Sequence, residues 1–216
     1  MKENYTAIGV VIDRSGSMSD ITEDTIGGFN TFLKAQKELP GEADLTLVIF
    51  DTKYEVIHDC KPLADVPDLD GKTYYARGST ALLDAIGQTI NTMGGRFAAM
   101  DEADRPSKVI LVIITDGHEN CSREYTHDQI KALLVEHQEK YSWEVHYYGA
   151  DQDAITVGSS HGVAAHNNNS WAKSSGGTRA AYGDMSMKIA SSRSVQFSEE
   201  DRQKMADMFK DKKTKN

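Results

Sequence analysis

Several things are missing from this chain. No apolar stretch approaches the ~20 residues needed to span a bilayer, and Met1-Lys2-Glu3-Asn4 runs straight into a strand-like segment without a secretory pattern. There are two cysteines, Cys60 and Cys121, in 216 residues. Two isolated cysteines make neither a disulfide framework nor a zinc site, so reduced thiols and a cytoplasmic location are expected. Positive charge is also short. The 24 Lys and Arg face 33 Asp and Glu, a net charge of −9, which disfavours nucleic acid and anionic membrane as general partners. The local exception is the run Lys210, Lys212, Lys213 and Lys215, which reads as a solvated tail. No internal repeat is visible. Also absent are the Gly-x-Ser-x-Gly elbow, the phosphate-cradling Gly-x-x-x-x-Gly-Lys loop and the dinucleotide fingerprint.

What is present fits one large globular domain, with 39% apolar and 26% charged residues. Tyr5 to Ile12 is an apolar, β-branched run that reads as a buried strand. A polar loop, Asp13 to Ser19, leads to a helix that the spacing predicts to be capped by Asp20 and Glu23, with Ile26, Phe29 and Leu33 on its apolar face and Pro40-Gly41 at its end. Leu45 to Phe50 and Tyr54 to His58 read as strands joined by so short a turn that they must be antiparallel. Residues 61 to 79 form a long connection, of a length that tends to be functional or mobile. The next helix carries Leu82, Leu83, Ile86, Ile90 and Met93, and Gly94-Gly95 ends or weakens it. Lys108 to Thr115 (KVILVIIT) is the most hydrophobic run, hence a central parallel strand. Then come a helix from Thr126 with Gln129 as capping partner, a strand at Val145 to Tyr148, a short helix capped by Asp151, an edge strand at Val163 to Ala165, and helices near 178–192 and 198–210. Asn167 to Asn169 reads as a turn or loop. The alternation predicts an α/β, doubly wound, mostly parallel Rossmann-like sheet with one antiparallel edge strand and helices on both faces. The domain spans 1–195, followed by a C-terminal helix and basic tail at 196–216.

In such sheets ligands bind outside the carboxyl ends of the strands. The first strand and the KVILVIIT strand both run into Asp, at Asp13 and Asp116. Asp13, Ser15 and Ser17 place a carboxylate and two hydroxyls at alternate positions of a loop, and Gly16 lets it bend. Hard cations such as Mg²⁺ take oxygen ligands and keep some waters; the sulfur and imidazole that softer metals favour are absent from the set.

Three segments then carry a resemblance: Asp13-Arg14-Ser15-Gly16-Ser17, Thr80 in Arg77-Gly78-Ser79-Thr80, and Thr115-Asp116-Gly117. In this order and separation they resemble the metal ion-dependent adhesion site of the von Willebrand factor A domain family, over about residues 5 to 192. The text around them is similar too: Val10-Val11-Ile12, Ala81-Leu82-Leu83-Asp84-Ala85-Ile86 and Pro106-Ser107-Lys108. The resemblance implies direct ligation by Ser15 and Ser17, ligation by Thr80 directly or through water, and Asp13 and Asp116 acting mostly through bridging waters. It implies Mg²⁺, with Mn²⁺ or Ca²⁺ as alternatives, and a protein partner whose Asp or Glu completes the shell.

The expected rim is Met18, Tyr75, Arg77, His118 and Glu119, with Tyr74 nearby and Arg14 pointing outward beside Met18; local packing competes for Met18, Tyr74, Tyr75 and Arg77, while His118 and Glu119 read either as a plain polar loop or as residues that tune partner binding or act as a base near the metal. The leading function is a non-enzymatic, metal-dependent protein-binding module. One rival is a Mg²⁺-dependent hydrolase or phosphotransferase, weakened because Ser15 stands where the Asp-x-Asp phosphatases carry their second Asp. The other is a structural component of a larger assembly. The stripe of Met205, Met208 and Phe209 reads as a docking face of the last helix or a surface offered to a partner.

Overall fold

The structure is a computed structural model, described for residues 1–151 and 154–195. Six strands form one sheet: β1 (Lys2–Asp13), β2 (Glu42–Phe50), β3 (Tyr54–Pro62), β4 (Pro106–Thr115), β5 (Glu144–Ala150) and β6 (Asn168–Trp171). Their order is β3-β2-β1-β4-β5-β6. All neighbouring pairs are parallel except β2 with β3, which form the antiparallel edge. The α-helices among the described residues are α1 (Thr22–Lys37), α2 (Leu82–Ala99), α3 (His127–Tyr141), α4 (Ala154–Ser160) and α5 (Ser175–Ser194).

The period-two alternation of β1 divides the core. Ile8, Val10 and Ile12 face one layer with Phe29, Phe32 and Leu33 of α1 and Met185 and Ile189 of α5. Ala7 and Val11 face the other with Ile86, Ile90 and Met93 of α2 and Ile130 and Leu134 of α3. Gly9 lies on that second face, where a Cβ would come within 2.7 Å of Met93 Sδ, so α2 packs closer there than any side chain would allow. Tyr147 and Tyr148 divide the same way, one into each layer.

The chain leaves β1 towards β2 on one side and returns to β4 on the other. The strand order therefore reverses between β1 and β4, and their carboxyl ends frame a crevice. Asp13 ends β1, and Asp116 directly follows β4.

Four local expectations need correction. Residues Gly16–Ile21 form 3₁₀ turns before α1, whose N-cap is Ile21 without a side-chain cap; Asp20 and Glu23 make no capping box. Thr22 Oγ1 instead donates back to the carbonyls of Met18 and Ser19. Gly94-Gly95 does not end α2, which continues to Ala99. The edge strand is Asn168–Trp171 rather than Val163 to Ala165; it pairs with Tyr147 to Ala150 of β5, and Val163 fills the core beside it. Asp151 has φ 46° and its carboxylate accepts from Lys173 N at 2.9 Å. By contrast, the box of Thr126 with Gln129 forms at α3. The helix expected at 198–210, its Met205, Met208 and Phe209 stripe and the basic tail lie outside the described residues.

Candidate metal centre

Asp13 begins the site. Its Oδ1 accepts from Ser15 N at 2.6 Å, closing a tight turn, and its Oδ2 accepts from Thr115 Oγ1 at 2.6 Å. The carboxyl is fully buried, and burial pushes its pKa from the ordinary 3.8 to about 6. The bonds from Thr115 and Ser15 pull the other way, and the neighbouring Asp116 charge adds to the rise.

The turn carries Ser15 Oγ to 3.0 Å from Ser17 Oγ, and Ser17 Oγ donates to Asp116 Oδ1 at 2.7 Å. Thr80 reaches the same place from the loop before α2. A Cβ at Gly117 would lie 3.0 Å from Thr80 Oγ1, 3.6 Å from Ser17 Oγ and 3.7 Å from Asp13 Oδ2. Only glycine leaves that space open. Three hydroxyls and two carboxylates thus converge from three segments; Ser15 and Thr80 are buried, and Ser17 is the exposed member.

The Thr80 loop is fastened to the Asp13 loop at several points. Gly16 N donates to Gly78 O, Arg77 N to Arg14 O, and Ala81 N to Asp51 O. Tyr74 Oη donates to Asp13 O at 2.7 Å. Gly78 has φ +68°, and a Cβ there would also sit 2.8 Å from Thr52 Oγ1. Under this seam lies an ionic lattice. Arg14 is 1% exposed and pairs with Asp51 at 2.9 Å and Glu55 at 2.6 Å; Arg77 pairs with the same two carboxylates. Both guanidiniums lie over the Tyr75 ring. Asp51 is buried, yet the bonds from Arg77, Lys53 N and Arg14 outweigh that burial and hold its carboxyl below the usual range.

The rim is smaller than expected. Met18 is fully buried in the α1 layer, because the 3₁₀ turns roll it inward. Arg14 and Tyr74 are buried as well. Glu119 is occupied: its carboxylate accepts from Leu83 N, Cys121 N, Ser122 N and Ser122 Oγ, tying the loop after Gly117 to the first turn of α2. Tyr75 and His118 are exposed, and Arg77 is 35% exposed at its side chain.

Sequence reasoning missed three participants. Thr115 orients Asp13, and its signal was its place directly before Asp116. Asn120 Oδ1 accepts from Thr80 N at 2.9 Å, while Asn120 N donates to Thr80 O. Lys173, between β6 and α5, places Nζ 2.8 Å from Asp116 Oδ2. The ammonium is the one partner the described residues give that buried oxygen.

The donor set suits a hard cation. Among the described residues no group of three or more His, Cys, Asp or Glu gathers; the donors are mainly hydroxyls, as a cation that retains water requires. A buried carboxylate oxygen whose partner is a cationic ammonium, beside a space walled by hydroxyls, lies where positive charge is favoured. A cleft of about 680 Å³ lies elsewhere, between α2 and α3 near Val109 and Trp143 at the opposite ends of the strands. It gathers no comparable oxygen set.

No family model matches the chain, and no curated protein does. Solved structures do. The pilus adhesin SpaC of Lactobacillus rhamnosus GG aligns with 88% of this chain at a TM-score of 0.65 and 14% identity. The von Willebrand factor domain of the pili tip protein Mfa5 of Porphyromonas gingivalis aligns with 88% at 0.61 and 10%. The fold is of the von Willebrand factor A type. Proximal thread matrix protein 1 of the mussel byssus, in a structure with a zinc-occupied metal ion-dependent adhesion site, aligns with 87% at 0.60 and 14%. The chain spans 30% of SpaC and 46% of the thread matrix protein, but 96% of the Mfa5 domain. At such identities the likeness is one of von Willebrand factor A fold.

Proposed function

We propose that this chain is a metal-dependent protein-binding module. The carrying observation is the convergence of Ser15, Ser17 and Thr80 hydroxyls with Asp13 and Asp116 around Gly117. In this reading the three hydroxyls hold one divalent cation, Mg²⁺ in the first instance, and the carboxylates support it mostly through water. An ion held chiefly by neutral oxygens keeps its affinity for anions. When bound it supplies a coordination position for an Asp or Glu of a partner protein. Exposed Ser17 marks the open side, and Tyr75, Arg77 and His118 are the nearby residues that would meet the partner. The fold neighbours support the reading, since they are adhesion and matrix proteins and one carries zinc at its adhesion site.

The module is read as non-enzymatic. Among the described residues no His or Cys side chain is bonded to the five: His118 is exposed, and the Glu119 carboxylate is spent on backbone and Ser122 donors. The test is calorimetric titration with Mg²⁺ and Mn²⁺, followed by capture of partners with and without chelator. Expected is one ion per chain, lost in Ser15→Ala/Ser17→Ala, and partners released by chelation. Metal binding unchanged in the double variant would overturn the assignment. Phosphatase or esterase turnover lost in Asp13→Ala would overturn the non-enzymatic reading.

A further inference from the structure

The reading above leaves Lys173 unexplained. Asp116 follows β4, whereas Lys173 follows β6, two strands away in the sheet. Its side chain spans from beyond the end of β6 to the residue that follows β4, with β5 between those strands. The lysine backbone is fixed on both sides. Its N–H donates to Asp151 Oδ1 at 2.9 Å, and the next residue, Ser174, caps α5 by accepting from Gly177 N at 3.1 Å. The turn is so tight that a Cβ at Gly177 would collide with Ala172 O. The backbone that carries the ammonium is therefore held on both sides. The Asp116 side chain is 1% exposed and that of Lys173 only 22%.

Asp116 Oδ1 already accepts from Ser17, so Oδ2 is the oxygen left to face a cation or its water. The lysine ammonium lies on that same oxygen. One buried oxygen cannot hold an ammonium and support a divalent ion a few ångströms away without strong repulsion between the two cations. We propose that Lys173 is a tethered cation that competes with the divalent ion for Asp116 and so sets the metal affinity of the site from within the chain. Metal binding displaces the ammonium from Asp116. Lys173 is thus a brake on metal binding. This rests on the metal reading of the site.

The test uses the full chain with Lys173→Met, Lys173→Gln and Lys173→Arg, titrated with Mn²⁺ by calorimetry and by the loss of the free-ion paramagnetic resonance signal. Thermal melting in chelator is measured alongside. Removing the ammonium in the Met or Gln variant tightens Mn²⁺ binding by about tenfold or more, the scale expected for one like charge removed from beside a divalent ion. Lys173→Arg, which keeps the charge, stays near wild type. In chelator the Met and Gln variants melt below wild type, because Asp116 loses its cation, and Mn²⁺ raises their melting temperature more than it raises wild type's. Binding by the uncharged variants alone would mean that the brake is complete, and supports the proposal. Equal affinity in wild type and both uncharged variants, or weaker binding in those variants, overturns it while leaving the metal site standing. Binding in none of the four chains overturns the metal reading itself.

Discussion

Asp13→Asn should stabilise this protein in chelator at alkaline pH, although it removes a central residue of the site. The Asp13 carboxyl is raised from 3.8 to about 6 chiefly by burial. An acid whose folded pKa lies above its unfolded one keeps its proton longer in the fold, so the fold is favoured at low pH and loses that advantage as pH rises through 4 to 6. Above about pH 7 the ionised carboxylate costs the fold about 3 kcal/mol relative to low pH, at 1.36 kcal/mol per pKa unit. Asparagine carries no charge and escapes that cost. It also keeps most of the bonding. Its carbonyl accepts from Ser15 N, and its amide donates to Thr115 Oγ1, whose hydroxyl turns to Gly117 O at 3.2 Å. Allowing about 1 kcal/mol for poorer hydrogen bonds, the variant gains about 2 kcal/mol at pH 8. At pH 4 the gain vanishes or reverses.

The assay is urea unfolding of both proteins in chelator from pH 4 to 8, read as the difference between them so that every other titration cancels. A difference that does not change with pH would refute the reasoning, as would destabilisation by Asp13→Asn at pH 8. Saturating Mg²⁺ should erase the advantage, because wild type gains the binding energy of the ion and the variant does not.

Further outcomes follow from the same geometry. Gly117→Ala should fold, since the backbone there is not left-handed, but should weaken Mn²⁺ binding at least about tenfold in calorimetric titration, its Cβ standing 3.0 Å from Thr80 Oγ1. Arg14→Met should cost roughly 3 kcal/mol in urea unfolding, because it strips one cation from buried Asp51; a loss under about 0.5 kcal/mol, the scale of an ordinary surface change, would show that Arg77 alone suffices. His161, whose pKa burial lowers to about 4, stays neutral in the fold while the unfolded chain takes its proton near 6.5. Stability should therefore drain by about 3 kcal/mol as pH falls from about 6.5 to 4, and His161→Gln should flatten that slope in unfolding titrations.

Much of this fold is legible because strands and helices write their burial into the sequence. KVILVIIT is apolar at nearly every position because β4 is covered on both faces, and Asp13 and Asp116 stand out as the charges that end such runs. The edge strand Asn168–Trp171 is not legible. Four residues at a sheet edge need no apolar alternation, and Asn-Asn-Ser gives the same signal as a turn. The start of α1 misleads for a related reason: Asp20 and Glu23 have the spacing of a capping box, but spacing cannot distinguish an α-helical first turn from the 3₁₀ turns that the Ser15 and Ser17 loop imposes.

The charged residues show where the limit lies. Asp13, Ser15 and Ser17 share one loop, so their convergence is local and a motif can carry it. Arg14 sits in that same loop, yet its destination is set by Asp51 and Glu55 across the β2–β3 turn, and nothing near position 14 distinguishes a buried arginine from a solvated one. Lys173 is further still, 57 positions along the chain from Asp116 and with no motif of its own. An ion pair between distant segments costs little sequence, one residue at each end, while its geometry depends on every strand between them. The residues that converge at the ends of β1 and β4 can therefore be read from the sequence, but the charges set against them become visible only when the sheet is assembled.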